Sequence, residues 1–212
     1  PAEAPEAFLT RVSERLRHRD RAIAPWDIER LVLQAFPQIY KAKCLRAGAT
    51  PGEVVVVVIP DIRNALPGEA AAPKAPADLL LDIERHLAAR VPAAATVRVR
   101  NARYVPVRVR LSVRFRPALD EGFARRRLNQ DLVRFLSPWA FDDGAEVMIG
   151  GRVYANSVVD FVDRRDDVDH VANLKLFRVR DGHPEFVPPA DDYHIATERP
   201  DEVLVAAPEH DI

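Results

Sequence analysis

The side chains able to do chemistry in this 212-residue chain are few and scattered. Its six histidines are His18, His86, His170, His183, His194 and His210, and no two stand at i,i+3 or i,i+4. No helix face therefore offers two imidazoles to a metal, and each reads as a surface or hydrogen-bonded residue. Cys44 is the single cysteine, which excludes an intramolecular disulfide and any multi-cysteine zinc or iron–sulfur site. It lies in an apparent strand and reads as a buried, inert thiol. Asp166-Asp167-Val168-Asp169-His170 gathers oxygen ligands of the kind magnesium or calcium takes. A calcium loop also needs glycine at its sixth position and glutamate at its twelfth, where Val171 and Phe177 stand. The tract therefore reads as a solvated connection from helix to strand. Gly150-Gly151 lacks the third glycine, the lysine and the hydroxyl residue of a phosphate loop and reads as a tight turn. No serine lies in a Gly-x-Ser-x-Gly elbow. No catalytic, cofactor-binding or metal-ligating residue is assigned.

One pattern is periodic. From Tyr104 to Arg116, Val105, Val107, Val109, Leu111, Val113 and Phe115 alternate with Pro106, Arg108, Arg110, Ser112, Arg114 and Arg116. That is a long strand with one face in the core and one carrying guanidinium groups. Arg98 and Arg100 alternate with Val97 and Val99 just before it, so six arginines are expected on one side of a sheet. Segment charges sharpen the point: residues 96–136 sum to +8 and residues 137–212 to −10, although the whole chain is −1. Three readings of the arginine face compete. It pairs with the acidic final third, it meets an acidic surface on another protein, or it contacts nucleic acid. The last suffers from the lack of aromatic residues on this face to stack bases. Whichever holds, so many charges cannot be buried without acidic or aqueous cover.

The elements that position these residues follow from spacing. Pro5 to His18 predicts a helix with Phe8, Val12 and Leu16 at i, i+4 and i+8. Pro25 opens a second helix whose apolar face is Ile28, Leu31, Val32, Ala35 and Phe36, closed by Pro37. Tyr40 to Leu45 reads as a strand and Gly48 to Gly52 as a turn. Glu53 to Ile59 holds five consecutive valines and reads as a central strand covered on both faces. Asn64 to Pro76 reads as a loop, and Ala77 to Val91 as a helix with Leu80, Ile83, Leu87 and Val91 inward. Leu119 to Leu136 reads as a helix stopped by Ser137-Pro138, with Ala124, Leu128, Leu132, Phe135 and Leu136 on one side. A strand at Glu146 to Ile149, a helix near Ser157 to Val162 and a strand at Leu174 to Val179 follow. Asp181-Gly182 is a turn, and the last ~30 residues read as short strands or coil.

The resulting order, α-α-β-β-α-β-β-α-β-α-β, predicts an α+β protein with helices packed on mixed β-sheets in two small α/β sandwich-like subdomains. Expected boundaries are 1–37 for an N-terminal helical segment, 38–117 and 118–180 for two subdomains, and 181–212 for an acidic extension. A composition 48% hydrophobic and 30% charged excludes disorder for the bulk of the chain. The near-zero net charge argues against a dedicated non-specific nucleic-acid binder. The longest apolar run, Val54 to Pro60, is far short of the ~20 residues that cross a bilayer, so no membrane partner is expected. The chain opens on Pro1 without an initiator methionine and reads as a fragment or a short member of its kind.

Several stretches in fixed order carry a resemblance. They are Arg21-Ala22-Ile23-Ala24-Pro25-Trp26-Asp27-Ile28-Glu29-Arg30-Leu31-Val32, then Phe36-Pro37-Gln38-Ile39-Tyr40-Lys41-Ala42-Lys43-Cys44-Leu45. Pro51-Gly52-Glu53, Pro60-Asp61, Phe135-Leu136-Ser137-Pro138-Trp139-Ala140 and Gly150-Gly151-Arg152-Val153-Tyr154 complete the set. Together, from about residue 15 to 180, the chain resembles the C-terminal region of baseplate J-like proteins. These are wedge components of contractile phage tails and injection systems. The resemblance implies a structural subunit of the inner baseplate ring that contacts other wedge subunits, the central hub and spike, and copies of itself. It implies assembly in the cytoplasm followed by residence in the particle, with no cofactor and no catalytic residue to carry over. Arg98, Arg100, Arg108, Arg110, Arg114 and Arg116 are the expected protein interface, with Trp26 and Trp139 as anchors near helix boundaries. The competing classes are a nucleic-acid-binding α+β module using the arginine face and a metal-dependent hydrolase centred on Asp166, Asp167 and Asp169.

Overall fold

The computed structural model describes residues 5–46, 52–61, 72–117, 120–142 and 145–212. The expected Gly48–Gly52 turn lies outside these residues except for Gly52, as does most of the expected Asn64–Pro76 loop. The chain is an α+β protein that divides into two compact units, one of residues 5–61 and 73–102, the other of residues 103–212. The division falls between Ala102 and Arg103 rather than near 37, 117 and 180.

The first unit contains helices α1 (Pro5–His18), α2 (Pro25–Ala35) and α3 (Ala77–Ala88) with strands β1 (Ile39–Arg46), β2 (Glu53–Pro60) and β3 (Thr96–Asn101). Its sheet runs β1-β2-β3, antiparallel then parallel. The valine-rich strand is central, as its unbroken apolar run requires, and Val56, Val57, Val58 and Ile59 are all fully buried. The parallel step from β2 to β3 needs a crossover, which α3 supplies. Ile28, Leu31 and Val32 of α2 and Ile83 and Leu87 of α3 close the core over Val56, Val58 and Val97. Gly52 begins β2 with φ +83°, and a Cβ there would stand 2.7 Å from the Ala94 carbonyl oxygen. Its own carbonyl accepts the Thr96 N–H at 2.8 Å, so the close approach registers β2 against β3. Only glycine fits this position.

The second unit contains β4 (Arg103–Phe115), α4 (Glu121–Leu136), β5 (Arg152–Tyr154), α5 (Ala155–Asp163), β6 (Val168–Arg180), β7 (His183–Val187), β8 (His194–Ala196) and β9 (Glu202–Ala206). The main sheet is ordered β7-β6-β4-β9, and β5 pairs with β8 apart from it. Val105, Val107, Val109 and Leu111 of β4 face inward against Leu128 and Leu132 of α4 and Val158 and Val162 of α5. The alternation expected of β4 is therefore realised. Asp120 caps α4 by accepting the Phe123 amide at 2.6 Å, and the β6–β7 hairpin turns on Asp181 (φ 49°) and Gly182 (φ 80°).

Three expectations change. No strand forms at Glu146–Ile149: only an isolated bridge joins Ile149 to Val203. The strand expected at Leu174–Val179 begins at Val168 and so absorbs part of the acidic tract. The expected acidic extension after 180 is built into the unit, its short strands β7 and β9 lying in the main sheet and β8 pairing with β5. β9 runs parallel to β4, the Ala207 amide reaches the Val107 carbonyl, and Asp211 exchanges backbone hydrogen bonds with Val109 and Leu111 at 2.9 Å.

His210 locks this last segment. Its Nδ1 accepts the Val109 amide at 3.2 Å, its own amide donates to Asn129 Oδ1 at 2.8 Å, and Nε2 is buried with no hydrogen-bond partner. Burial, helped by the nearby Arg108 guanidinium and opposed by Asp211, pushes the imidazole down from 6.5 to about 4. Between those values the unfolded chain binds a proton that the folded chain refuses, so stability falls as pH falls through the window. In urea denaturation the wild type should lose roughly 2–3 kcal/mol more than His210→Asn between pH 7 and 4.5. Asparagine keeps an acceptor near the Nδ1 position without the titration, and equal losses would show that His210 carries no such penalty. Gly52→Ala should cost at least about 1 kcal/mol in the same assay at neutral pH.

Candidate interaction surfaces

The expected single arginine face is two faces. Arg98 and Arg100 stand on β3 in the first unit, in register with Val55 and Val57. Arg108, Arg110 and Arg114 stand on β4 in the second, and Arg116 just past its end. Sequence adjacency across the Ala102 boundary had suggested one sheet, but β3 and β4 pair with different partners.

On β4 the arginines meet the acidic end of the chain. Arg110 is paired with Asp211 at 2.9 Å, Arg114 with Asp169 at 2.5 Å, and Arg103 with the buried Asp201 at 3.1 Å. Arg108 and Arg116 donate to the carbonyls of Glu209 and Val168. The pairing with the final third is thus formed inside the unit. It is solvent-open, since the Arg110 and Arg114 side chains are 55% and 72% exposed. Exposed pairs of this kind contribute about 0–1 kcal/mol each. The neighbouring strands also bring aromatic residues beside these arginines. Arg110 lies 4.9 Å from the Phe177 ring, Phe186 of β7 is 5.5 Å from Phe177, and Lys175 sits over Phe186. Phe177 is buried under this cover while Phe186 is half-exposed. Cross-strand register places Arg108 opposite Phe177 and Phe177 opposite Phe186, a relation that no single strand's sequence displays.

The acidic tract does not form a cation site. Asp167 takes a two-pronged bond from Arg165, which also holds Asp131, and that guanidinium keeps the Asp167 carboxyl below the usual carboxylate range. Asp169 belongs to Arg114. Asp167 and Asp169 are thus held by different arginines, and among the described residues no group of three ligating side chains could hold a metal ion. Cys44 is half-buried beside Glu29, whose carboxylate accepts its amide; burial and that charge push the thiol up to about 11. A thiol so raised is a poor nucleophile at neutral pH.

The two tryptophans differ. Trp26 is partly buried beneath Arg17, 4.3 Å from its ring centre, with Arg30 at 5.7 Å. Trp139 is 7% exposed and stacks on Tyr104 with the rings 23° from parallel. It forms one wall of a groove of about 240 Å³ with Phe135, Pro138, Gly151 and Tyr154, rimmed by an exposed Met148. The Phe135–Ala140 and Gly150–Tyr154 stretches that carry the resemblance thus converge in space. Ser137 sits at the junction, buried, its hydroxyl accepting the Ala206 amide at 2.7 Å.

What this arrangement defines is an α+β protein with solvent-open charged and aromatic surfaces. The chain belongs to the family described as baseplate protein PVC11-like, which matches residues 1–188. By that family it is a baseplate protein. The fold is similar to that of a chain in the cryo-EM structure of the anti-feeding prophage baseplate, 6-fold symmetrised, with TM-score 0.71 and 22% identity. That likeness covers 100% of this chain and 42% of the other, so the sequence spans less than half of that relative's length. No curated protein matches the chain.

Because the arginine pairs are solvent-open, Arg110→Ala and Arg114→Ala should each cost less than about 1 kcal/mol in urea denaturation. Leu128→Ala, in the core beneath them, should cost about 2–5 kcal/mol. A loss above 2 kcal/mol for either arginine would mark that pair as a structural determinant of the unit.

Proposed function

We propose that the protein is a wedge or inner-ring subunit of the baseplate that works by fitting against other proteins, without bond-making chemistry of its own. The family match across residues 1–188 carries the reading. The proposed partners are other wedge subunits, the central hub and spike proteins, and copies of the chain. Assembly would take place in the cytoplasm, with the subunit then residing in the particle.

The physical support lies in how the β4 arginines are held. Their internal partners Asp169 and Asp211 neutralise them in the free subunit, and the pairs are weak enough to exchange for a partner's carboxylates at small cost. Arg98 presents a similar case on the first unit, 66% exposed and 3.9 Å from Glu84. The groove walled by Trp139 offers an apolar anchor site of the kind that binding hot spots use.

The test is the double variant Arg110→Glu/Arg114→Glu, produced alone and in cells making the particle. Alone it should keep its circular dichroism spectrum and lose only a few degrees in Tm; in cells it should fail to enter baseplates isolated for electron microscopy. Wild-type chain recovered only as a free monomer, never in a baseplate, would overturn the reading. A double variant that enters baseplates normally would remove the arginines from the interface.

A further inference from the structure

The sheet of the first unit ends in two edge strands, and its register fixes which amides point out of them. The Thr96 amide donates to Gly52 and the Ala102 amide to Val58, so alternate residues of β3 face β2. Val97, Val99 and Asn101 then direct their amides away from the sheet. Because Val54, Val56 and Val58 serve β3, β2 meets β1 through Val55, Val57 and Ile59, which leaves Ala42, Cys44 and Arg46 pointing outward. In each outward row the middle amide is engaged. Cys44 donates to Glu29 of α2 at 2.9 Å, and Val99 donates to Glu84 of α3 at 3.3 Å. Both carboxylates reach over an edge from a helix packed on the same sheet, and Arg98 also holds Glu84, at 3.9 Å.

The main sheet of the second unit closes its edges by other means. Along β9, Ile149 bridges Val203 and the Gly150 amide donates to the Glu202 carbonyl at 2.8 Å. On β7, the Tyr193 hydroxyl sits between the Leu176 amide and the Val187 carbonyl, which fixes Val187 as facing β6. Positions 184, 186 and 188 then face outward, and Pro184 and Pro188 have no amide to offer there. We propose that Glu29 and Glu84 are edge guards: by holding the middle outward amide of β1 and of β3, they keep a strand of another molecule from extending the first unit's sheet. An added strand pairs with successive outward amides, and a row of three with its middle donor engaged leaves no two in succession. The unbroken valine run of β2 behind these edges is what makes such an extension hazardous. Partners accordingly meet this unit on its faces rather than by strand addition. The inference concerns the chain itself and does not rest on the baseplate reading.

The test compares the purified full chain with Glu29→Ala and Glu84→Ala, with Glu29→Gln and Glu84→Gln, and with Ile83→Val. Alanine keeps the helix propensity of α2 and α3. Glutamine keeps an oxygen for the amide, and Ile83→Val weakens the same core without touching an edge. Association is read by gel filtration across a concentration series, new strand pairing by the intermolecular amide I band in the infrared, and the guarded amides by hydrogen exchange. Each alanine variant should reach half-association at a concentration about tenfold below that of the wild type, the equivalent of one amide hydrogen bond returned to an incoming strand. It should also show the intermolecular band, with faster exchange at Cys44 for Glu29→Ala and at Val99 for Glu84→Ala. Both glutamine variants and Ile83→Val should behave as the wild type does. Alanine variants that associate no more readily than the wild type, or associate without the infrared band, overturn the proposal. So do unchanged exchange at the guarded amides and equal association of the glutamine variants or of Ile83→Val.

Discussion

The pairing of β4 with the end of the chain is the contact on which the second unit depends. β4 is interior to its sheet only because β9 lies along its free edge, in register from Arg103 against Glu202 to Val107 against Ala206. Without β9 that edge would expose a row of unpaired amides and carbonyls on a long, valine-rich strand. The same strand completes the apolar layer with Leu204 and Ala206, and the Ala206 amide meets the Ser137 hydroxyl at the end of α4. Past β9, His210 and Asp211 continue along β4, so one polypeptide segment supplies an edge, a core layer and counter-charges for arginines on the outward face.

That contact also explains the polarised charge. Within the second unit residues 103–136 sum to +6 and residues 137–212 to −10, and where these groups stand on adjoining strands they neutralise one another at short range while leaving the side chains wet. Core burial of leucine or valine contributes about 1.5–3 kcal/mol per side chain, whereas each exposed ion pair contributes a fraction of that. Stability therefore resides in the layer of Val107, Val109, Leu128, Leu132 and Leu176, and the charged exterior is open to exchange.

Much of this was legible in the sequence, and the failures share a cause. Periodicity placed β4, the central valine strand and all five helices near their observed bounds, and in all of these but α1 one face is buried by its own unit. Sequence periodicity carries no information on which strands become neighbours. It therefore joined Arg98 and Arg100 to the β4 row, and it overlooked Phe177 and Phe186, which reach the same face from β6 and β7. The C-terminal residues looked like an appendage because their acidity suggests solvent. Yet Glu202 to Ala207 are all buried, with Glu202 capping the turn before it by accepting the amides of Glu198 and Arg199. The convergence of Phe135–Trp139 with Gly151–Tyr154 was equally invisible, since the two stretches are separated in sequence and meet only around the groove they line.

Helix α1 shows the same limit from the other side. Its period was read correctly, and an apolar period normally points to a core within the chain. The inference fails here because amphipathicity records only that a face is to be covered, not by which molecule. The polar anchors Glu14 and Arg17 settle the direction: they tie α1 to α2 through side chains that a solvent-facing surface would otherwise carry, and so turn Phe8, Leu9 and Leu16 outward.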